Sequence, residues 1–318
     1  MNTKLPNKAK TRLNFFLQTF QGFETSQRLK DQLQTIRTIL GTAPGEPVQA
    51  GVGFLGWILD NSEGSDDPRL PVVLAEKPAA LFFAFGDDLG KYVAQVRAFD
   101  ATREHKTIIF VTVNSVAEAL RATNEWKVDV LVVQGKKKMK MPLWTLLMQI
   151  ITGGEAGGHG KKTAPPLLTF LQAVLVAIPK ESRPVVVGAG AISSGAQIAA
   201  LLTLGADGAL VGSRFLVSPE CKYTAAQKQV ILDADFNSTS RDRAFDEVNR
   251  TDYWPLGIEG RAVANEILTD VREGEDLETR LKRHEEGLAK EEKDRLVIWA
   301  GVGIGHLKEI KPAAVRFL

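Results

Sequence analysis

One of the four histidines in this chain stands among residues too small to pack around it. His159 belongs to segment 154–162 (GEAGGHGKK), which follows a predicted strand. We expect an open, flexible backbone there, with little side-chain packing against the ring. An imidazole just beyond the carboxyl end of a strand can act as a base near neutral pH. The other histidines are expected at the surface or in packing roles, with His284 on a solvated helix: His105, His284 and His306.

Two turns further along the chain are candidates for a phosphate site. A buried VVV strand ends at Gly188 and Gly190, and a second buried strand ends at Gly212 and Ser213. The helix between them starts at a pair of serines, which favour helix N-termini. Backbone N–H groups at such turns, together with a helix N-terminus, can bind a phosphate. The alternative is that the glycines only interrupt an α/β fold, and GAGAIS lacks the third glycine of the dinucleotide fingerprint.

Strands and helices alternate over most of the chain, which indicates a parallel sheet. Six strands are predicted, at residues 48–57, 80–85, 107–113, 128–133, 185–187 and 209–211. A closed (β/α)₈ barrel needs eight strands, so two would have to come from the region before residue 48, which has mostly helical spacing.

The two ends of the chain depart from this alternation. Residues 1–22 are predicted to be irregular, and residues 61–68 form a polar loop. After residue 220 we expect a helix over 225–234, a polar irregular stretch over 236–259, and a charge-rich helical region over 262–289.

Composition excludes several classes of protein. A formal net charge of +2 gives no case for nucleic acid, and Cys221 alone can form neither a disulfide framework nor a cysteine metal site. No apolar run reaches transmembrane length, so we expect no membrane partner. We predict a cytoplasmic protein. A mitochondrial location is the alternative, because basic residues but no acidic ones precede Glu24.

One internal segment fits none of these patterns. Residues 136–153 begin as a basic run and continue as a hydrophobic stretch, and neither half suits a short βα loop. We hypothesise that this insert is translated intron sequence. A spliced transcript that still encodes it would end that hypothesis.

Several motifs together resemble the FMN-dependent nitronate monooxygenases, formerly called 2-nitropropane dioxygenases. These are PVVVGAGAISSGAQIAALLTLGADGALVGSRFLVSPE, VDVLVVQG and GEAGGHG, while GVGFLGWILD, DADFNSTSRDRAFDE and WPLGIEGRAV resemble the fungal branch. The resemblance covers residues 23–318. It implies a TIM (β/α)₈ barrel, incomplete at its N-terminus, with a helical C-terminal subdomain. The implied domains are an irregular segment 1–22, an FMN-binding barrel 23–220, and a substrate-side subdomain 221–318.

The resemblance also implies a reaction and a site. Alkyl nitronates would be oxidised with O₂ to carbonyl compounds and nitrite. His159 would be the active-site base or the imidazole that positions the substrate, and Gln134 and Gly158 would contact the flavin. The phosphate would be held by Gly188, Gly190, Gly212 and Ser213.

The chain departs from the family pattern in ways that bear on the cofactor. The family has Gly-Gly in the first phosphate turn, where this chain has Gly190-Ala191, and the methyl group is tolerated if φ is negative. The first two family strands are not recognisable, so we expect weak flavin retention or none. Two alternatives stay open: a related flavin-dependent enoyl reductase or NADH-quinone reductase, and an inactive truncated family member.

Overall fold

The computed structural model describes residues 16–19, 24–134, 154–162 and 165–314. The predicted insert 136–153 and most of segment 1–22 lie outside these residues. The described chain forms two compact units. The first runs to Thr112 and includes Ala122–Val130, and the second contains Val113–Arg121 and everything from Leu131 onward.

The first unit is built on parallel strands separated by helices. Its strands are β1 (Phe16–Thr19), β2 (Val48–Leu55), β3 (Pro78–Ala84) and β4 (Ile108–Val113). Its helices are α1 (Ser26–Ile39), α2 (Gly56–Ser62), α3 (Arg69–Ala75) and α4 (Gly90–Ala101), and α5 (Val116–Asn124) follows β4. Parallel pairing joins β1 to β2, β2 to β3 and β3 to β4. All seven residues of β3 are buried, as expected of a strand covered on both faces.

Helix α1 shows how the sequence determines these elements. The Thr25 hydroxyl accepts a hydrogen bond from the Arg28 N–H, which caps the first turn, and Leu29 and Leu33 are buried on one face. The sequence pattern of Thr25 before an apolar spacing at Leu29 and Leu33 thus accounts for the start of α1 and for its buried face.

Two predictions for the first unit are wrong. Residues 16–19, expected to be irregular or helical, form β1 and pair with residues 50–53 of β2. Four residues are too few for spacing to separate helix from strand. The strand expected to reach Trp57 ends at Leu55, and α2 begins at Gly56, where a β-carbon would lie 2.8 Å from the Gly86 Cα. The backbones at Gly56 and Gly86 thus pack closely at the point where the strand ends and α2 begins.

The second unit contains two sheets. Strands β5 (Val130–Val133), β7 (Val185–Ala189) and β8 (Gly208–Leu210) are consecutive neighbours in one sheet, and β7 and β8 are parallel. Helix α6 (Leu167–Ala177) precedes β7, and α7 (Gly195–Thr203) connects β7 to β8. The predicted β–helix–β unit around the phosphate turns is therefore confirmed.

The other sheet is antiparallel and was not predicted. Strand β6 (Gly158–Lys161) pairs with β10 (Ile258–Val263), which also pairs with β9 (Thr239–Asp242). The remaining helices are α8 (Ala225–Asp233), α9 (Ala244–Val248), α10 (Glu266–Glu273) and α11 (Leu277–Ala289). Among the described helices, none has the length and apolar character needed to cross a bilayer.

This sheet corrects three expectations. Segment 154–162 is not an open loop, because its second half is β6 and pairs with β10. Residues 236–259 are not irregular, because they contain β9 and α9. His284 is not solvated: only 2% of it is exposed, and its Nδ1 lies 2.8 Å from the Arg295 carbonyl oxygen. In each case long-range packing decided what a local polar pattern could not.

Candidate active site

The backbone around His159 is fixed on both sides by hydrogen bonds. His159 lies opposite Gly260 in the β6–β10 pairing. The Arg241 guanidinium donates to the carbonyls of both neighbours, Gly158 and Gly160, at 3.2 Å each. The imidazole is therefore presented from an ordered strand.

The His159 ring makes a short contact with a buried carboxylate. Its Nε2 lies 2.7 Å from Asp246 Oδ1, and the two side chains are 15% and 1% exposed. The Thr251 hydroxyl donates to the same carboxylate oxygen at 2.9 Å. Because an ionised carboxylate can only accept, this arrangement places a proton on His159 Nε2.

Two indoles enclose the same ring. Trp254 stacks on His159 with ring centroids 3.8 Å apart and planes 11° apart, and the Trp299 ring is 4.9 Å away and tilted by 47°. Gly260 makes room for Trp299, since a β-carbon there would lie 2.0 Å from an indole carbon. The expectation that His159 has little side-chain packing is wrong, because side chains distant in the sequence converge on it.

Arg241 is bound by backbone carbonyls. Its guanidinium donates to five carbonyl oxygens, those of Gly154, Ala156, Gly158, Gly160 and Glu259. Burial, reinforced by the charge of Arg261, lowers the pKa of Arg241 to about 10. Arg261 also donates to the Gly154 carbonyl, at 3.0 Å. Two cations thus fix the segment that leads into His159.

The predicted phosphate residues occupy different environments. A β-carbon on Gly188 would lie 3.1 Å from the Leu201 side chain, so this glycine allows α7 to pack closely on β7. Gly190 has φ +122° and lies against Ala156, whereas a β-carbon on Gly212 would meet no atom within 4 Å in the part of the chain that the structure describes. The Ser213 hydroxyl accepts a hydrogen bond from the Gly301 N–H at 2.9 Å. Gly212 has open space beside it and Gly190 lies in a turn with a positive φ, and both features suit a bound group. Gly188 is less suited, because it packs against helix α7.

Ala191 departs from its expected conformation. Its φ is +56°, in the left-handed region that favours glycine, and the condition of a negative φ is not met. The substitution of the second family glycine therefore introduces backbone strain into the first turn.

A cavity of ≈190 Å³ lies beside these turns, at the N-terminus of α7. Ser193, Ser194, Gly195 and Arg214 form part of its wall, and it is completed by Phe215, Ser218 and residues 306–309 and 311–313. Gln197 Oε1 already accepts from the N–H groups of Ser193 and Ser194, which closes a capping box. The volume and the nearby cation suit a phosphate group, although Gln197 occupies two of the N–H groups.

The two predicted flavin contacts, Gln134 and Gly158, also belong to the second unit. Gln134 follows β5 and donates its N–H to the Val113 carbonyl at 3.2 Å. Gly158 has φ +69°, and no atom of the described residues lies within 4 Å of where a β-carbon would be. Open space at this glycine is consistent with a group approaching its backbone.

The hollow beside Gln134 is much smaller than a flavin ring. It has a volume of ≈10 Å³, about that of one water molecule, and is lined by Asn114, Gln134, Gly154, Glu155, Ala156, Gly160, Lys161, Pro165, Leu167, Ala189 and Arg241. His159 lines neither this hollow nor the α7 cavity. The α7 cavity thus has the size for a phosphate group, but none of the four predicted phosphate residues lines it, and the Gln134 hollow does not fit a flavin ring.

The sequence did not identify the partners of His159. Asp246 and Trp254 lie within the motifs DADFNSTSRDRAFDE and WPLGIEGRAV, and Trp299 begins the glycine-rich WAGVGIG segment. Such clustered aromatic and acidic residues in a polar region were the available signal. Nothing local connects them to residue 159, because the contacts span about 90 to 140 positions.

Solved structures share this fold. A nitroalkane oxidase from Streptomyces ansochromogenes has a TM-score of 0.65 at 21% identity, covering 93% of this chain and 84% of that chain. FabK from Thermotoga maritima has a TM-score of 0.64 at 20% identity, covering 93% and 80%. These similarities support an α/β fold of the TIM-barrel type.

Sequence comparison identifies the family. The sequence model of the nitronate monooxygenase family matches residues 144–315, and the chain belongs to that family of oxidoreductases. A nitronate monooxygenase of Neurospora crassa is 26% identical over 300 residues, covering 90% of this chain and 74% of the relative. A second, from Metarhizium robertsii, is 26% identical over 290 residues, covering 87% and 73%.

Proposed function

We propose that this chain is an FMN-dependent nitronate monooxygenase, which uses O₂ to convert alkyl nitronates to carbonyl compounds and nitrite. Family membership supports the reaction class. The observation that carries the proposal is the His159–Asp246 pair, since a buried carboxylate beside an imidazole is suited to proton transfer and to binding an anion. We propose a cytoplasmic location.

The imidazole would act on the substrate as a base or as a positioning group, through the ring nitrogen that does not contact Asp246. The Asp246 carboxylate would hold the ring in place through its contact with Nε2. Trp254 and Trp299 would keep water from the faces of the ring that they cover.

We propose FMN contacts for the residues that the sequence predicted to bind it. When bound, FMN would supply the one-electron oxidant for the nitronate. Gly190, Gly212 and Ser213 would contact its phosphate, and Gln134 and Gly158 its ring. Gly188 contributes through helix packing. Ring binding requires the Gln134 hollow to widen, because ≈10 Å³ admits one water molecule.

Two measurements on the full-length chain test the proposal. Titration with FMN, followed by quenching of flavin fluorescence, measures cofactor binding. Nitrite release and O₂ consumption with propionate 3-nitronate measure the reaction. We expect both signals, and we expect His159→Asn to lower nitrite release by at least about 100-fold. The matched control is His105→Gln in the first unit, whose Nε2 lies 2.9 Å from the Pro78 carbonyl oxygen.

The outcomes separate the rival functions. NADH oxidation without nitrite release would replace the proposal with the reductase alternative. A folded protein that takes up no FMN and releases no nitrite would identify an inactive family member. Equal activity of His159→Asn and the unsubstituted protein would remove His159 from the reaction.

A further inference from the structure

The contacts of His159 assign different roles to its two ring nitrogens. Nε2 is 2.7 Å from Asp246 Oδ1, and a carboxylate accepts but does not donate. The neutral ring must therefore carry its proton on Nε2 and its lone pair on Nδ1. No partner of Nδ1 is described in the part of the chain that the structure covers.

The environment of Asp246 suits it to hold His159 in the Nε2–H tautomer. It is 1% exposed, and its Oδ1 accepts from both His159 and Thr251. Its Oδ2 is buried without a hydrogen-bond partner among the described residues. Among the described side chains with a basic nitrogen, His159 is the one recorded in contact with this carboxylate.

The residues around His159 oppose a flip of its imidazole ring, which would exchange the positions of nitrogen and carbon atoms. Trp254 lies nearly parallel to one face at 3.8 Å, and the strand under His159 is held by the Arg241 guanidinium. A ring flip would bring a carbon atom to the carboxylate and lose a hydrogen bond to a charged group, which disfavours the flipped ring.

We propose that Asp246 is a positioning residue that holds His159 in the Nε2–H tautomer and leaves Nδ1 as its basic nitrogen. The effect of Asp246 on catalysis rests on the proposed function. The tautomer of His159 does not depend on it. Asp246 acts through His159 and need not touch the substrate.

Nuclear magnetic resonance on the full chain tests the tautomer directly. Histidine labelled with ¹⁵N in the ring is incorporated, and long-range ¹H–¹⁵N spectra are recorded about two pH units above the ordinary histidine pKa. His159→Gln assigns the signal. We expect Nε2–H for His159. His284 provides the opposite reference in the same spectrum, because its Nδ1 faces a carbonyl oxygen and must donate. A His159 ring in the Nδ1–H form overturns the proposal.

Variants connect the tautomer to catalysis. The amide introduced by Asp246→Asn can donate to Nε2, so we expect the Nδ1–H form to become populated and kcat to fall about 10- to 100-fold, with KM changed less than about twofold. Asp246→Glu keeps a carboxylate and should keep the Nε2–H form. An unchanged kcat in Asp246→Asn overturns the positioning role of the carboxylate.

Thr251→Val is the matched control for packing. It removes the hydroxyl that donates to the same Asp246 oxygen and leaves the carboxylate in place. We expect the Nε2–H tautomer and less than about a threefold loss of kcat. A loss as large as that of Asp246→Asn, with the tautomer intact, would show that packing and not the tautomer controls the rate.

The two proposals fail in different ways. A wild-type protein that releases no nitrite contradicts the proposed function, and the spectrum still decides the tautomer. Nitrite release with His159 in the Nδ1–H form contradicts the role of Asp246 alone.

Discussion

The Trp299 ring occupies the space above Gly260 where any side chain would have to lie. A β-carbon on Gly260 would be 2.0 Å from Cζ3 and 2.5 Å from Cη2 of the indole. Gly260 is also the residue opposite His159 in the β6–β10 pairing. Gly260, on the strand next to His159, thus leaves room for the Trp299 ring beside the candidate catalytic imidazole.

Gly260→Ala is expected to destabilise the protein by about 1–3 kcal/mol, because a rigid indole and not a flexible chain end meets the new methyl group. Urea denaturation measures the free energy of unfolding. Gly64→Ala is the matched control, since a β-carbon there would lie more than 4 Å from every described neighbour. Equal stabilities of the two variants would show that Trp299 moves away at no cost.

Ala191→Gly is expected to stabilise the protein by up to about 1 kcal/mol. The residue has φ +56°, and glycine relieves a left-handed strain of about 1–2 kcal/mol at an entropic cost of about 0.5–1 kcal/mol. Ala189→Gly, in strand β7, should instead destabilise. The expectation fails if both changes alter the unfolding free energy in the same direction.

Arg241→Met is expected to cost about 3–5 kcal/mol, because several carbonyl oxygens lose their donor in a buried position. Arg241→Lys should lose less, since the ammonium group still donates to some of them. Thermal and urea unfolding measure both. Arg250→Met removes an exposed pair with Glu285 and should change stability by less than about 1 kcal/mol. A comparable loss in that control would contradict the role of buried carbonyl binding.

Stability is expected to fall as the pH drops below about 6.5, in part because of His284. Burial lowers the pKa of its imidazole, and the hydrogen bond to the Arg295 carbonyl opposes this only partly. The folded pKa then lies below the unfolded value of 6.5, so the unfolded chain binds more protons in that window and unfolding is favoured there. Urea denaturation between pH 5 and 8 should show a smaller slope for His284→Gln. Parallel curves for the two proteins would contradict this assignment.

Asp270 should contribute in a different pH window. Its burial raises the pKa, but hydrogen bonds and charges from Arg295 and Arg283 outweigh burial, and the net shift is downward from 3.8. Its stabilising contribution is therefore present above pH 3.8 and is lost as the pH falls through the lower folded value. Asp270→Asn should flatten the stability curve only in this acidic range.

Local patterns were sufficient where neighbours in sequence are also neighbours in space. The strand, serine cap, helix and glycine turns around α7 were predictable because capping, periodicity and positive φ act over a few residues. The same holds for Thr25 at the start of α1. The family resemblance rests on these motifs and on the glycine-rich segment before His159.

The surroundings of His159 could not be predicted from such patterns. A run of glycines indicates an open loop, but β10 supplies the backbone partners that make it a strand, and α9 supplies Asp246. Similarly, β1 exists because β2 offers a free edge with which to pair. The sequence by itself determined the family and the β–helix–β unit with its glycine turns, and it predicted His159 as the candidate imidazole. Only the tertiary structure decided which carboxylate and which indoles surround that ring, because these contacts are selected by the packing of segments far apart in the chain.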